Sequence, residues 1–328
     1  MYSWGDDTKV WKKPKSYDYG SARAGYLEDL AKKSKSEGER TYLSSKLSKG
    51  PKLELVDPKG KEITTESTNP VLIAVDGTGS MQTWPAEIFD RLPLLYQTLS
   101  KYRKDVELSF SVIGDAGSDR WPVQISNFGK ELTLDKYLKA LCPEGGGGPG
   151  VRESYELWGY YVSQHVLTPK AEKPFLILMG DEAFYNKVDP QQAKHYLGEG
   201  LQAPVESLGI WKKLDDKFNI YLLRKSYPGY DEKIKAQWAE AIGLQKIVPV
   251  DDPKRVVDIA MGIIARSWGY FSDFKTNISA RQDEPEIKKV MESIRAAPEA
   301  ALAELAEASK KEASKKASVK KSIKLLGK

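Results

Sequence analysis

The segment VLIAVDGTGSM (71–81) joins an apolar run to a polar turn, and it decides the fold class. Its first five residues are all apolar, as expected for a strand that is covered on both faces of a sheet. Directly after them come one carboxylate, Asp76, and two hydroxyls, Thr78 and Ser80, separated by glycines. The segment therefore predicts a buried strand of a parallel sheet with ligand-type oxygens at its carboxyl end.

The chain around this segment alternates apolar runs with longer amphipathic stretches. Further strands are predicted at VELSFSVIG (106–114), WPVQI (121–125), FLILMG (175–180), NIYLLR (219–224) and QKIVPV (245–250). Helices are predicted over 85–103, 132–141, 151–165, 191–196, 205–214, 231–242 and 253–268. Strands that alternate with helices of this length build mostly parallel sheets. The predicted fold class is therefore α/β: a doubly wound, mainly parallel, Rossmann-like sheet with helices on both faces.

Composition divides the 328 residues into four segments. They are an N-terminal extension over 1–69, an α/β domain over 70–270, a helical extension over 271–308 and a Lys-rich tail over 309–328. Within the N-terminal extension we predict a short helix over 22–33 and a hairpin over 53–63.

The net charge of +5 is concentrated in the tail, which holds eight Lys and one Glu. The rest of the chain is close to neutral, so its charge does not indicate a nucleic-acid-binding domain. Two interpretations of the tail stay open: a solvated terminus, or an arm that binds phosphate backbones or acidic protein surfaces. The lysines concerned are Lys310, Lys311, Lys315, Lys316, Lys320, Lys321 and Lys324.

Cysteine and histidine are scarce. Cys142 is the single cysteine, which excludes an internal disulfide framework and a Cys-based zinc cluster. His165 and His195 are the only histidines, so a His-rich metal site is not expected. The start of the chain shows no apolar signal region, and the most apolar late stretch, 256–268, is too short to span a bilayer. We expect a cytoplasmic protein without a membrane partner.

Polar residues gather at the predicted carboxyl ends of the buried strands, where ligands bind in open α/β sheets. Asp76, Thr78 and Ser80 follow the first strand, and Asp181 follows FLILMG. Between them lies the Gly-rich segment PEGGGGPGVRES (143–154). Carboxylate and hydroxyl oxygens suit a hard cation such as Mg²⁺, with Mn²⁺ or Ca²⁺ as alternatives. The sequence therefore predicts a divalent-metal site at this edge.

These motifs resemble the metal-ion-dependent adhesion site of von Willebrand factor A (vWA) domains, most closely those of stand-alone proteins of bacteria and phages. The resemblance covers about residues 70–270 and includes VIGDAGSDRWPVQISNF and FLILMGDEAFY. It implies that Thr78 and Ser80 bind the metal directly, whereas Asp76 and Asp181 act through bound water. It also implies a protein partner whose acidic residue completes the metal shell, which is a binding mechanism without catalysis. A phage-encoded chain would be expected in the virion.

The sequence departs from the family pattern in the third loop, where vWA domains usually offer a Thr. No Thr lies in 143–154, so Glu153 and Ser154 are the two alternatives for this ligand. Glu153 would neutralise the ion and weaken its attraction for a partner carboxylate. Asp115, Asp119 and Glu182 are predicted at the rim or behind the ligands, with ordinary turn chemistry as their alternative role.

The same residues argue against two catalytic interpretations. Haloacid-dehalogenase phosphatases need a second Asp two positions after the first as a general acid, and Thr78 stands there. The Gly-rich segment lacks the Lys and Ser/Thr of a phosphate-binding loop. We therefore predict a non-enzymatic, metal-dependent protein-interaction module that acts in intracellular assembly or within a larger complex. The alternative hypothesis is a structural or assembly protein, cellular or of a phage particle, whose basic tail contacts nucleic acid or acidic surfaces.

Overall fold

A six-stranded sheet forms the centre of the computed structural model, which describes residues 50–148 and 150–295. Its strands are β1 (Asn69–Asp76), β2 (Val106–Ile113), β3 (Val123–Ile125), β4 (Phe175–Gly180), β5 (Asn219–Arg224) and β6 (Ile247–Pro249). They lie in the order β6-β5-β4-β1-β2-β3. All neighbouring pairs are parallel except β2 and β3. The edge strand β3 is therefore the antiparallel strand of this sheet.

Helices cover both faces of this sheet. They are α1 (Trp84–Tyr102), α2 (Leu132–Ala140), α3 (Tyr155–His165), α4 (Ser207–Lys217), α5 (Asp231–Ile242), α6 (Val256–Ser267), α7 (Phe271–Ser279) and α8 (Glu284–Arg295). Side chains of α3, α4 and α5 pack on one face, and those of α1, α2, α6, α7 and α8 pack on the other. The predicted α/β architecture is confirmed.

Alternation along β1 explains why the sheet needs two covering layers. Val71, Ile73 and Val75 belong to one core, whereas Leu72 and Ala74 belong to the other. Successive side chains of a strand point to opposite faces, so a fully apolar strand is stable only when both faces are covered. The continuous apolar run in the sequence is therefore the direct cause of the layered fold.

The strand order places a crevice between β1 and β4. After β1 the chain continues to β2 and β3 on one side, and it later returns to place β4 on the other side of β1. Such a reversal of strand order opens a crevice at the carboxyl ends of the two central strands, where α/β proteins bind ligands. Asp76 ends β1, and Asp181 directly follows β4. The fold therefore brings together two acidic residues that lie far apart in sequence.

The segments on either side of the central sheet pack against it. Val56 and, at the other end, Phe274 and Val290 are buried in the same core as α1. The backbone N–H of Lys52 donates to the Ala140 carbonyl over 2.9 Å. Residues 50–69 and 271–295 are therefore continuous with the hydrophobic core. None of the helices in residues 50–148 and 150–295 is long and apolar enough to cross a membrane.

Short elements account for the differences from the predicted boundaries. Paired two-residue strands occur at Ile63–Thr64 with Val166–Leu167, Arg152–Glu153 with Ala183–Phe184, and Lys187–Val188 with Val205–Glu206. Short helical turns occur at Leu53–Val56, Gly79–Met81, Pro190–Gln192, Ala193–Leu197, Leu244–Lys246 and Pro253–Arg255. The hairpin predicted over 53–63 was wrong, because the first part is a helical turn and Ile63 pairs in parallel with Val166. The helix predicted over 22–33 and the Lys-rich tail lie outside the described residues.

Candidate metal centre

The four side chains predicted as metal ligands form one continuous chain of polar contacts. Thr78 Oγ1 donates to Asp76 Oδ1 over 2.6 Å and lies 3.2 Å from Ser80 Oγ. Ser80 Oγ in turn donates to Asp181 Oδ1 over 2.9 Å. Asp76, Thr78 and Asp181 are buried, whereas Ser80 is half-buried. The structure therefore brings all four residues together in the crevice between β1 and β4.

The Gly-rich segment holds this turn in place through its backbone. Gly145 N–H donates to the Gly77 carbonyl over 2.8 Å, and Gly79 N–H donates to the Gly146 carbonyl over 2.6 Å. A Cβ atom on Gly79 would lie 3.0 Å from both the Gly145 and Gly146 carbonyl oxygens, which leaves little room for a side chain. Glycine at this position therefore allows two loops to approach at backbone distance.

Asp115 and Asp119 explain why the same segment contains a run of glycines. A Cβ atom on Gly146 would lie 1.6 Å from Asp119 Oδ1, and one on Gly148 would lie 2.0 Å from Asp115 Oδ2. Asp119 Oδ2 also accepts a hydrogen bond from the Asp115 backbone N–H over 2.7 Å. The two carboxylates therefore shape the loop after β2 and pack directly against the glycine backbone.

Ser154 and Glu153 are the two alternatives for the ligand from the third loop, and their side chains point in different directions. Ser154 Oγ accepts from the Ala116 N–H over 2.9 Å and donates to Asp115 Oδ1 over 3.4 Å, so its hydroxyl faces the loop after β2. Glu153 is 1% exposed, and its Oε1 lies 2.9 Å from the place where a Cβ of Gly147 would stand. Thr78 Cβ lies 3.6 Å from that same point. Glu153 is therefore the residue that faces the Asp76 turn.

Burial raises the pKa of four carboxyl groups at this centre, those of Asp76, Glu153, Asp181 and Glu182. Loss of solvent, together with the nearby Asp181 charge, raises the pKa of Asp76 to about 8. Burial, followed by the charges of Asp76 and Glu182, raises the pKa of Glu153 to about 12. Burial raises the pKa of Glu182 to about 7. Burial also raises the pKa of Asp181, although the ammonium of Lys225 opposes this shift. The carboxyl groups of the centre therefore outnumber the positive charges that lie beside them in the described residues.

The donor set fits a hard divalent cation. Glu153 and Glu182 each keep one buried carboxyl oxygen, Oε2, without a hydrogen-bond partner within the described part of the chain. Buried oxygens of this kind are costly unless a cation or a donor satisfies them. No three His, Cys, Asp or Glu side chains among residues 50–148 and 150–295 are arranged to hold a metal by themselves. A metal here would therefore depend on the hydroxyls of Thr78 and Ser80.

Lys225 is a further charged residue of this centre, and the sequence interpretation missed it. Its Nζ donates to Asp181 Oδ2 over 2.9 Å and to the Ser80 carbonyl over 2.5 Å. Lys225 directly follows β5, the strand next to β4. The rule that selected Asp76 and Asp181, namely inspection of the residues after each buried strand, would have selected Lys225 too.

Tyr155 is a second residue of this centre that the sequence interpretation did not name. Its hydroxyl donates to Asp76 Oδ2 over 2.5 Å, and its ring packs edge-on against Trp238. A Cβ atom on Gly180 would lie 2.0 Å from this hydroxyl, so the glycine that ends β4 makes room for the contact. Tyr155 therefore links Asp76 Oδ2 to the hydrophobic core beneath α3, α4 and α5.

We expect the Tyr155→Phe variant to be about 1–3 kcal/mol less stable than the wild type, because it leaves a buried oxygen of Asp76 without a donor. Tyr161→Phe is the matched control, since the Tyr161 hydroxyl donates only to the Lys61 carbonyl over 3.0 Å. Urea unfolding measures both stabilities, and titration with Mn²⁺ measures metal binding. Only Tyr155→Phe should change both quantities, and unaltered stability of that variant would contradict the assigned contact.

Known proteins resemble this chain only weakly. It matches no protein-family model and no curated protein sequence. Among solved structures it is similar to the pilus adhesin SpaC from Lactobacillus rhamnosus GG, with 14% identity and a TM-score of 0.45 over 66% of this chain and 32% of the adhesin. It is similar to proximal thread matrix protein 1 from the mussel byssus, with 10% identity and a TM-score of 0.43 over 64% of this chain and 49% of that protein.

A third similar structure is the VWA domain of SpRpn10, with 10% identity and a TM-score of 0.39 over 58% of this chain and 94% of that domain. The chain spans about a third of the length of the adhesin. Likenesses at this level carry no functional inference. The assignment of a function depends instead on the strand order and on the contacts at the crevice.

Proposed function

We propose that this chain is a vWA-type, divalent-metal-dependent protein-interaction module without catalytic activity, which acts in intracellular assembly or as part of a larger complex. The observation that carries the proposal is the contact chain from Asp76 through Thr78 and Ser80 to Asp181. It lies at the reversal of strand order, where α/β proteins bind ligands. Buried carboxyl oxygens without partners, on Glu153 and Glu182, surround it.

Each residue has a defined part in the proposed binding. Thr78 and Ser80 present neutral hydroxyl oxygens, and Asp76 and Asp181 orient those hydroxyls by accepting hydrogen bonds from them. Tyr155 fixes the second oxygen of Asp76, so the carboxyl group cannot rotate freely. A bound Mg²⁺, Mn²⁺ or Ca²⁺ would supply an electrophilic centre for an acidic side chain of a protein partner. When ionised, Glu153 and Glu182 would add negative charge and so weaken the attraction between the metal ion and the partner's acidic side chain.

The two histidines make their contacts outside the chain of polar contacts from Asp76 to Asp181. His165, the last residue of α3, pairs with Glu199 over 2.8 Å, whereas Tyr155 begins the same helix at the crevice. His195 packs edge-on against Tyr196. The proposed binding therefore uses neither imidazole.

Calorimetric titration with Mg²⁺ and Mn²⁺ tests the metal half of the proposal. We expect saturable binding by the wild type and at least about a tenfold loss in Asp76→Asn, because the variant removes an ionisable carboxyl group at one end of the contact chain. Asp215→Asn is the matched control: it removes a carboxylate that pairs with Lys246, away from the crevice. Equal binding by Asp76→Asn and the wild type, or no binding by the wild type, would contradict the proposal.

Capture of a partner from the native host, with and without EDTA, tests the interaction half. Loss of capture in EDTA and in Asp76→Asn, but not in Asp215→Asn, is the expected result. Capture that persists in EDTA but is lost when residues 309–328 are deleted would instead favour the scaffold alternative. High salt separates the two cases further, because a Lys-rich arm is screened by salt more strongly than a buried metal contact.

A further inference from the structure

The ammonium group of Lys225 lies at the Asp181 end of the contact chain. Lys225 Nζ bonds to Asp181 Oδ2 over 2.9 Å and to the Ser80 carbonyl over 2.5 Å, so it contacts two of the four residues of the proposed centre. Its side chain is only 20% exposed, and its Nζ lies 6.0 Å from the centre of the Trp84 ring. The backbone N–H of Lys225 donates to the Gly180 carbonyl over 3.0 Å. The ammonium is therefore held in place from both ends of the residue.

Arg224, the residue before Lys225 in the chain, forms its ion pair away from the centre. Arg224 pairs with Asp231 over 2.6 Å, at the start of α5. Lys225 is thus the basic residue that makes direct contact with a carboxylate of the centre. Asp181 has one oxygen bonded to Ser80 and the other bonded to Lys225, so both oxygens have partners.

We infer that Lys225 is a tethered counter-ion that sets the metal affinity of this centre by competing with a divalent cation for Asp181. This inference rests on the proposed function. In the metal-free protein the ammonium neutralises a buried carboxylate. A divalent cation bound beside it would meet like charge at short range in a poorly solvated site, where such repulsion is strong. Lys225 would therefore weaken metal binding and keep the centre folded when no metal is bound.

The test compares two neutral variants with a charged one. Lys225→Met removes the charge and retains an apolar stem, and Lys225→Gln retains a hydrogen-bond donor. We expect both to bind Mn²⁺ at least about tenfold more tightly than the wild type, because the like charge is gone. Lys225→Arg retains the positive charge and should restore the wild-type affinity. A purely structural role for the side chain would not produce this pattern.

Lys246→Met is the matched control, because Lys246 forms a similar half-buried ion pair with Asp215. It should leave the Mn²⁺ affinity unchanged. Thermal unfolding in EDTA gives a second readout: both neutral Lys225 variants should melt at a lower temperature than the wild type and gain more from added Mn²⁺.

The outcomes separate this inference from the proposed function. Equal or weaker Mn²⁺ binding by Lys225→Met and Lys225→Gln overturns the inference and leaves the metal site intact. Binding by these variants but not by the wild type supports the inference and contradicts the proposed function of the natural chain. Absence of binding in every variant overturns both. Tighter binding by Lys246→Met as well would overturn the inference, since the effect would then be one of overall charge.

Discussion

The metal-free Glu153→Gln variant should be about 3 kcal/mol more stable than the wild type at pH 7. Burial raises the pKa of Glu153 from 4.5 to about 12, so the folded protein holds a proton on this carboxyl at pH 7, whereas the unfolded chain releases it. Folding must therefore take up a proton against the solution pH, which costs about 1.4 kcal/mol per pH unit. Glutamine resembles the protonated acid and removes this cost.

Urea unfolding in EDTA at pH 7 measures the difference. Glu172→Gln is the control, because Glu172 is exposed and its neutralisation should change stability by less than about 0.5 kcal/mol. In saturating Mg²⁺ the advantage of Glu153→Gln should shrink, since the variant has lost a carboxylate that faces the proposed metal. A variant no more stable than the wild type in EDTA would show that Glu153 is not held protonated in the fold.

A gain of this size would mean that the metal-free centre lowers the stability of the fold. Asp76, Glu153, Asp181 and Glu182 are all buried, and Lys225 is the one cation seen to bond to them in the described residues. Buried carboxylates without sufficient counter-charge destabilise a fold. Functional sites often carry such a penalty because the same groups are needed for ligand binding. The proposed metal would supply the counter-charge that the acidic crevice lacks.

The sheet could be predicted from the sequence because its strands are continuously apolar. The strand FLILMG was predicted at 175–180 and is observed as Phe175–Gly180, since six buried residues leave no other stable environment. The meeting of Asp76 with Asp181 followed from the same rule, because parallel strands share one carboxyl edge. Local composition therefore specified both the layers and the meeting of these two carboxyl groups.

Contacts that depend on distant segments could not be predicted in this way. The helix predicted to begin at 151 begins at Tyr155, because Arg152–Glu153 pairs with Ala183–Phe184. That pairing orients Glu153 toward the crevice. Nothing in the local sequence indicates a strand of two residues, so the sequence could not show which of Glu153 and Ser154 faces the crevice.

The glycine run is a second case where tertiary contacts decide. The sequence showed the Gly-rich segment but not which side chains lie against it. In the structure the Asp119 and Asp115 carboxylates occupy the space that side chains on Gly146 and Gly148 would need. These two aspartates were predicted at the rim or in ordinary turns, and their contacts shape the loop that supports the Asp76 turn.

Without metal, the free energy of unfolding should fall by an amount on the order of 10 kcal/mol as the pH rises from 4 to 8. The folded-state pKa values of Asp76 and Glu182 are raised to about 8 and about 7, above their ordinary values of 3.8 and 4.5. The folded protein therefore binds more protons than the unfolded chain in this interval. The stability from these groups is complete below about pH 4 and is lost progressively above it, until the pH has passed the folded-state values of about 7 and 8.

Urea unfolding at successive pH values in EDTA tests this profile, and Asp76→Asn should make it shallower, because residue 76 can no longer ionise while Glu153 and Glu182 still do. Saturating Mg²⁺ should also flatten it, since metal ligands bind in their deprotonated form and the cation favours ionised carboxylates. The exposed control Glu172→Gln should follow the wild type. A domain has about 5–15 kcal/mol of total stability, so a loss of this size would bring the metal-free protein close to unfolding at pH 8. A flat or rising profile in EDTA would mean that the buried carboxylates already have a counter-charge, and the case for a bound cation at the crevice would fail with it.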